Sequence, residues 1–305
     1  MSARLPCLSP TMPASPEARP PDLAAIRAYY AAAQEDYHRW SPGYNMHFGY
    51  WARGMSLFDR EAMLERMNLE VAAALELPAE KTSHVVDLGC GAGATSRAIA
   101  RRHARAEVTG VTLVGEQIEL GRRLNREAGL ARRVGFVFCD FTATWIGSAS
   151  QDAAVAIESF CYASGAGKAP AIREAARLLA PGGRLVVVDG FLAAPEPRGL
   201  VGWIYRHWCA GWVVRELAQL EEFRRELAAA GFEDIVVRDL SWRAIPCAAH
   251  IPWVALTHMV RELWRGDGRL PAWRWRHIAA SWLSIPLGVA RGTFRYSMVT
   301  ARKAR

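Results

Sequence analysis

Hydrophobic positions along the chain follow two rhythms. Up to about residue 77 they recur at helical spacing. Leu23, Ile26, Tyr30 and Tyr37 predict an amphipathic helix that starts at an Asp22 N-cap and ends near His38. Met63, Leu64, Met67, Val71 and Leu75 lie on one stripe of a second helix over residues 56–77, a stripe suited to core packing. From residue 84 the rhythm changes. Short β-branched runs at 84–88, 107–113, 134–139, 153–158 and 184–189 alternate with helical stretches at 95–104, 115–128 and 169–179. Such alternation predicts an α/β fold built on a parallel sheet. Pro181-Gly182-Gly183 reads as a tight turn into the fifth strand. A helix at 217–230 stopped by Gly231, a strand at 232–240 and a closing strand at 292–303 complete the elements.

Composition divides the 305 residues further. Residues 1–21 carry six prolines and no apolar run of signal length, so they read as a disordered leader. Residues 22–80 form a helical cap, and 81–305 a core with lid insertions at 191–217 and 241–290. Six scattered cysteines without a C-x-x-C pair suit reduced thiols in a cytoplasmic protein and offer no metal-ligand cluster. The net charge of +8 is concentrated: residues 251–305 hold nine arginines and Lys303 against Glu262 and Asp267. Nine of the twelve tryptophans lie after residue 200. Arginine beside tryptophan fits a membrane interface, an anionic ligand, or solvated charges over an aromatic core. The longest uncharged apolar stretch, Ile278 to Ala290, has thirteen residues and contains Pro286, too short to span a bilayer.

The chemistry is concentrated at residues 84–95, His-Val-Val-Asp-Leu-Gly-Cys-Gly-Ala-Gly-Ala-Thr. A strand ends in Asp87, glycines follow at 89, 91 and 93, and a helix begins. Ligands of doubly wound sheets bind at the carboxyl ends of strands, where glycines let the backbone approach. A dinucleotide site would want G-x-G-x-x-G and an acid at the end of the second strand. Here the spacing is G-x-G-x-G, and Thr112 stands where that acid would be. A NAD-type oxidoreductase is therefore disfavoured.

The segment resembles motif I of the class I S-adenosylmethionine-dependent methyltransferases. The resemblance implies a Rossmann-like seven-stranded sheet and S-adenosyl-L-methionine as cofactor. It places Asp87, Gly89, Cys90 and Gly91 beside the methionine end. Thr112, Leu113 and Gln117 occupy the ribose region, a pattern similar to sugar O-methyltransferases of the rebeccamycin and erythromycin type. Asp140 and Phe141 match the pair that contacts adenine, and Ile157 lies at the end of the fourth strand. The aromatic stretch from Trp40 to Trp51 resembles the H-x-G-Y-W segment of natural-product and tocopherol methyltransferases, with His47 and Tyr50 at its matching positions. Glu158-Ser-Phe-Cys-Tyr162 resembles the E-S-x-x-Y stretch of geranyl diphosphate C-methyltransferases.

On that resemblance Glu158, Tyr162, His47 and Tyr50 are the candidate catalytic residues. Glu158 would stabilise a carbocation or take a proton, and a role as a hydrogen-bonding support for the cap stays open. Phe160 and Cys161 fill positions where several O-methyltransferases carry a histidine base, which tilts the reading towards C-methylation of an isoprenoid-like alkene. O- or N-methylation of a natural product or lipid is the alternative, and a non-catalytic cofactor-binding protein a third. The aromatic lids, among them Trp203, Trp208, Trp253 and Trp282, argue for a small hydrophobic acceptor, with an anionic head also open. Arg274 and Arg276 are expected to meet that head or lipid phosphate. Nucleic acid is disfavoured because the aromatics cluster in apolar lids, not in a basic groove. Peripheral membrane contact and homo-oligomer formation are left open.

Overall fold

The computed structural model describes residues 23–193, 197–265 and 272–305. The proline-rich leader and the Asp22 cap lie outside the described residues. The cap is built from α1 (Leu23–Ala32), α2 (Gln34–Trp40) and α3 (Arg60–Ala74). The single helix expected over 22–38 is divided at Ala33, whose φ of −90° and ψ of 4° leave the α region. The expected start of α3 at Ser56 is corrected to Arg60, because the Asp59 side chain accepts a hydrogen bond from the Ala62 amide and ends the loop there. The stripe Met63, Leu64, Met67, Val71 and Leu75 is fully buried.

The core begins with β1 (Ser83–Leu88), α4 (Ala94–Arg102), β2 (Ala106–Thr112), α5 (Gly115–Glu127), β3 (Val134–Phe138) and β4 (Gln151–Ile157). It continues with a 3-10 turn at Phe160–Tyr162, α6 (Ala169–Leu178), β5 (Leu179–Leu192), α7 (Gly199–Gly211), β6 (Ala218–Gln219), α8 (Leu220–Ala229) and β7 (Phe232–Asp239). The helices α9 (Ser241–Ala248), α10 (Ile251–Arg265) and α11 (Ala272–Val289) precede the last strand, β8 (Phe294–Lys303). Seven strands lie in the order β3-β2-β1-β4-β5-β8-β7, and the short β6 joins the side of β5. Strands β1 to β5 are parallel, whereas β8 runs antiparallel between β5 and β7. Pro181-Gly182-Gly183 lies inside β5, not before it. Between Leu179 and Arg184 the chain bulges against β4, with Gly182 at a φ of +79°.

Alternate residues of the central strands face opposite sides, so the sheet has two cores. Val85, Val108, Val155, Val186 and Val188 pack with α3, α4 and α7 on one side. Val86, Leu88, Val111, Ala156 and Val187 pack with α6 and α8 on the other. Helices α7 and α11 approach closely at Gly211, where an added Cβ would stand 2.5 Å from Ala280. Trp208 Nε1 donates to Ser284 Oγ across the same contact at 3.0 Å. No helix among the described residues is long and apolar enough to cross a membrane.

Candidate active site

The carboxyl ends of β1, β2, β3 and β4 open into one cavity. It is lined by Asp87, Gly89, Cys90, Gly91, Thr112, Leu113, Gln117, Asp140, Phe141 and Ile157. All ten predicted cofactor residues thus share one space. Asp87 is buried and accepts a 2.6 Å hydrogen bond from Ser96 Oγ. Burial pushes its carboxyl up to about 6. Gly89 has a φ of +88°, and a Cβ there would lie 2.4 Å from the Ser159 side chain. Gly91, at a φ of +53°, sits under Met46 Sδ from the cap. The turn is therefore tight against the segment that follows β4 on one side and roofed by the cap on the other. Thr112 Oγ1 donates to Gln117 Oε1 at 2.7 Å, which orients the amide of Gln117. Asp140 Oδ1 accepts from the Thr142 amide and hydroxyl, both at 2.8 Å. Phe141 stacks on Phe160 with 5.9 Å between ring centroids. A carboxylate at each end, a glycine floor and an aromatic wall fit an elongated adenosyl-amino acid.

A second cavity lies between the sheet and the lids. Its walls include Phe48 of the cap loop, Trp40 at the end of α2, Trp208 and Trp212, Phe294 and Tyr296 of β8, and residues of α10 and α11. Tyr30, Met46, His47, Glu158 and Tyr162 border both cavities. Glu158 is the centre of this junction. Its φ of +48° is left-handed, which costs about 1–3 kcal/mol for a residue with a Cβ. The conformation is held by its amide donating to Val188 O at 2.8 Å. Glu158 Oε1 accepts two short hydrogen bonds of 2.6 Å, from the Phe48 amide and from the Tyr296 hydroxyl. Burial nevertheless dominates and raises the carboxyl to about 8. The hydrogen-bonding support of the cap left open for Glu158 is thus present in Oε1.

Tyr162 reaches the same junction and is clasped by neighbours. Tyr30 donates to its hydroxyl at 2.7 Å, and Tyr162 donates to Trp212 O at 3.3 Å. Burial holds its phenol protonated. His47 is buried beside them with both nitrogens engaged. Nδ1 lies 2.9 Å from Phe48 O and Nε2 3.1 Å from Asn68 Oδ1. Asn68 in turn donates to Asn45 and accepts from Thr95 on α4. Burial lowers the His47 pKa. This ring anchors the cap loop to α3 and α4.

Tyr50 is not brought to either cavity, which corrects its candidacy. Its amide donates to Met63 O at 2.8 Å, and its ring lies 5.6–6.0 Å from the guanidiniums of Arg66, Arg238 and Arg243. A ring so surrounded by cations is held on that side of α3. Arg274 also turns inward. It pairs with Asp36 and covers the Trp273 ring at 4.4 Å, so it ties α11 to α2.

Tyr296 and Asp189 carry no motif and are legible only in the fold. Tyr296 pairs with Gly190 in the β5–β8 register, two strands over from β4. Asp189 accepts from the Cys161 amide at 3.0 Å and the Gly190 amide at 2.7 Å, and burial raises its carboxyl to about 6. Its position at the end of a predicted strand was the available signal. The fully buried Lys168 bridges Ala163 O and Glu216 O at 2.9 and 2.8 Å, and so fastens the segment after Tyr162 to the lid.

This sheet order and glycine-floored cavity define a class I methyltransferase architecture. A methyltransferase-domain family matches residues 85–183. The chain is 31% identical over 214 residues to an O-methyltransferase (resE) of Aspergillus sclerotiorum, covering 70% of this chain and 77% of that one. It is 30% identical over 268 residues to the 27-O-demethylrifamycin SV methyltransferase of Amycolatopsis mediterranei, covering 86% and 90%. Among solved structures, the [4+2]-cyclase SpnF superposes with a TM-score of 0.75 at 25% identity, covering 94% of this chain and 98% of that one. A geranyl diphosphate methyltransferase with geranyl diphosphate and sinefungin superposes with a TM-score of 0.68 at 20% identity, covering 92% and 98%. The chain belongs to the S-adenosylmethionine-dependent methyltransferases. Within that class it is a small-molecule methyltransferase that uses S-adenosyl-L-methionine.

Proposed function

We propose that this enzyme methylates a hydroxyl group on a bulky hydrophobic acceptor, with Glu158 as the general base. The observation that carries the reading is the Glu158 carboxyl at the junction of the two cavities. Oε1 is locked by Phe48 and Tyr296, which leaves Oε2 as the oxygen those two bonds do not use. A carboxyl raised to about 8 is a far stronger base, once ionised, than an ordinary glutamate. The two donors stabilise its ionised form before transfer, and taking the proton neutralises it.

When bound, S-adenosylmethionine supplies an electrophilic methyl group. The chain's own residues do the rest. The glycine turn and Asp87 define one end of the donor cavity, and Asp140 with Phe141 the other. The aromatic walls of the second cavity exclude water and orient the acceptor, and such alignment is worth roughly 7–11 kcal/mol when reacting atoms are held near contact. Oε2 of Glu158 receives the acceptor proton. The named functions of the relatives at 30–31% identity agree with oxygen as the methyl acceptor.

The second reading is C-methylation of an isoprenoid-like alkene. It is favoured by the rings of Tyr296 and Trp212, 5.5 and 6.2 Å from that of Phe48, which share a cavity with Glu158. Aromatic faces and a carboxylate together stabilise a cation. A mass-spectrometric screen with deuterium-methyl-labelled cofactor separates the two. It would span phenolic and glycosylated natural products, quinones, sterols and prenyl diphosphates, with wild type and Glu158→Gln. A labelled ether lost in the variant supports the base. A labelled carbon product lost in the variant transfers the role to cation stabilisation. A product unaffected by the variant ends both assignments for Glu158.

A further inference from the structure

The lid helices are inverted relative to ordinary surface helices. A helix on a protein surface turns its apolar stripe inward and its charged face to water. On α11 the exposed positions are Ala272, Trp275, Ala279, Trp282, Ile285, Pro286 and Val289. From Trp275 they recur at helical spacing, and none is charged. On α10 the exposed stripe runs Trp253, Thr257, Val260 and Trp264, with Arg261 at its side. Trp253 is 66% exposed and Trp264 88%. On α7, which packs on α11, Leu200 and Trp203 are exposed beside Arg206. Three neighbouring helices thus show water an apolar, tryptophan-rich surface.

The opposite faces of α10 and α11 have a different task. Ile251, Val254 and Ala255 on α10, with Ile278 and Ser281 on α11, line the acceptor cavity. Each helix is therefore a single layer between that cavity and the outer apolar stripe.

We infer that the outer face of α10 and α11 docks on an anionic lipid surface, from which a membrane-dissolved acceptor reaches the cavity beneath. The choice of a lipid surface rests on charge and side-chain type. Among the residues of α7, α10 and α11 whose exposure is described, the exposed charged ones are Arg206 and Arg261, both cations. A second copy placed symmetrically on this face would bring the same excess of positive charge against itself. Anionic headgroups answer it, and tryptophan with arginine is the combination that seats at a bilayer interface. The helices lie too short and too interrupted to cross, so the contact is peripheral. The acceptor's route rests on the methyl-transfer reading above. The docking itself does not.

The test uses the full-length chain without cofactor or acceptor. Co-sedimentation is measured with vesicles of phosphatidylcholine alone and of phosphatidylcholine mixed with phosphatidylglycerol. The expected result is binding to the anionic vesicles, weakened roughly tenfold or more by the combined Trp253→Ser, Trp264→Ser and Trp282→Ser substitutions. Arg261→Gln should reduce binding and flatten its dependence on salt. Circular dichroism and thermal unfolding of each variant establish that it is folded. Absence of binding by folded wild type overturns the inference, as does binding that the tryptophan variants leave unchanged. A wild-type dimer that the same substitutions dissociate, without vesicle binding, assigns the face to a second copy and also overturns it. Methyl transfer to a detergent-dissolved acceptor should persist in the tryptophan variants. Its loss in Glu158→Gln alone keeps failure of docking distinct from failure of the chemistry.

Discussion

Replacing Glu158 by glutamine tests the electrostatics of the junction without breaking its geometry. The glutamine carbonyl can still accept from Phe48 N and Tyr296 O–H, as Oε1 does at 2.6 Å. In the folded chain burial raises the carboxyl to about 8, whereas its ordinary value is 4.5. Between those values the folded state holds a proton that the unfolded state releases. The stability from this group is therefore complete below about pH 4.5, declines as pH rises, and is lost above about pH 8. At about 1.4 kcal/mol per pH unit the ceiling is roughly 5 kcal/mol. The carboxyl is open to the cavities on one side, where water screens it. We therefore expect about 2–4 kcal/mol. The uncharged variant should match wild type near pH 5 and exceed its stability by that amount near pH 8.5, while losing methyl transfer. Urea unfolding of both proteins across this range measures the difference. Asp87 and Asp189, both raised to about 6, titrate in both proteins and cancel except for the repulsion between Asp189 and Glu158. A difference that does not change with pH, or a variant that is less stable in alkali, refutes the buried proton.

Tyr296→Phe removes one of the two donors that favour the ionised carboxyl. The Glu158 pKa should rise further, so kcat/KM near pH 7 should fall about tenfold and recover partly in alkali. A loss equal at every pH would make Tyr296 a packing residue. Gly89→Ala places a Cβ 2.4 Å from Ser159 at a φ of +88°. Calorimetric affinity for S-adenosylhomocysteine should weaken at least about tenfold, with about 1–3 kcal/mol of lost stability; unchanged affinity would remove the turn from the cofactor site. Asp59→Ala deletes the α3 cap at its 2.9 Å bond to Ala62 N. It should cost about 1 kcal/mol in thermal or urea unfolding while leaving kcat near wild type, and no change in stability would deny the cap its role.

Local sequence signals determined much of this protein. β-Branched runs and their alternation with helices required a mainly parallel sheet, since such strands bury both faces. The glycine turn was legible because positive φ and close backbone approach restrict residue choice at single positions. The ten candidate cofactor residues follow motifs at the ends of consecutive strands, so one resemblance named residues that line a single cavity. Sequence resemblance also singled out Glu158, yet its environment was out of reach. Phe48 and Tyr296 lie 110 and 138 residues away, and only the packing of cap, β4 and β8 around β5 makes them its partners. The same packing turned Tyr50 towards arginines and Arg274 towards Asp36. Periodicity revealed that the lids are apolar. It could not say which stripe of α10 and α11 lines a cavity and which meets solvent, because both are apolar and only tertiary packing covers one of them.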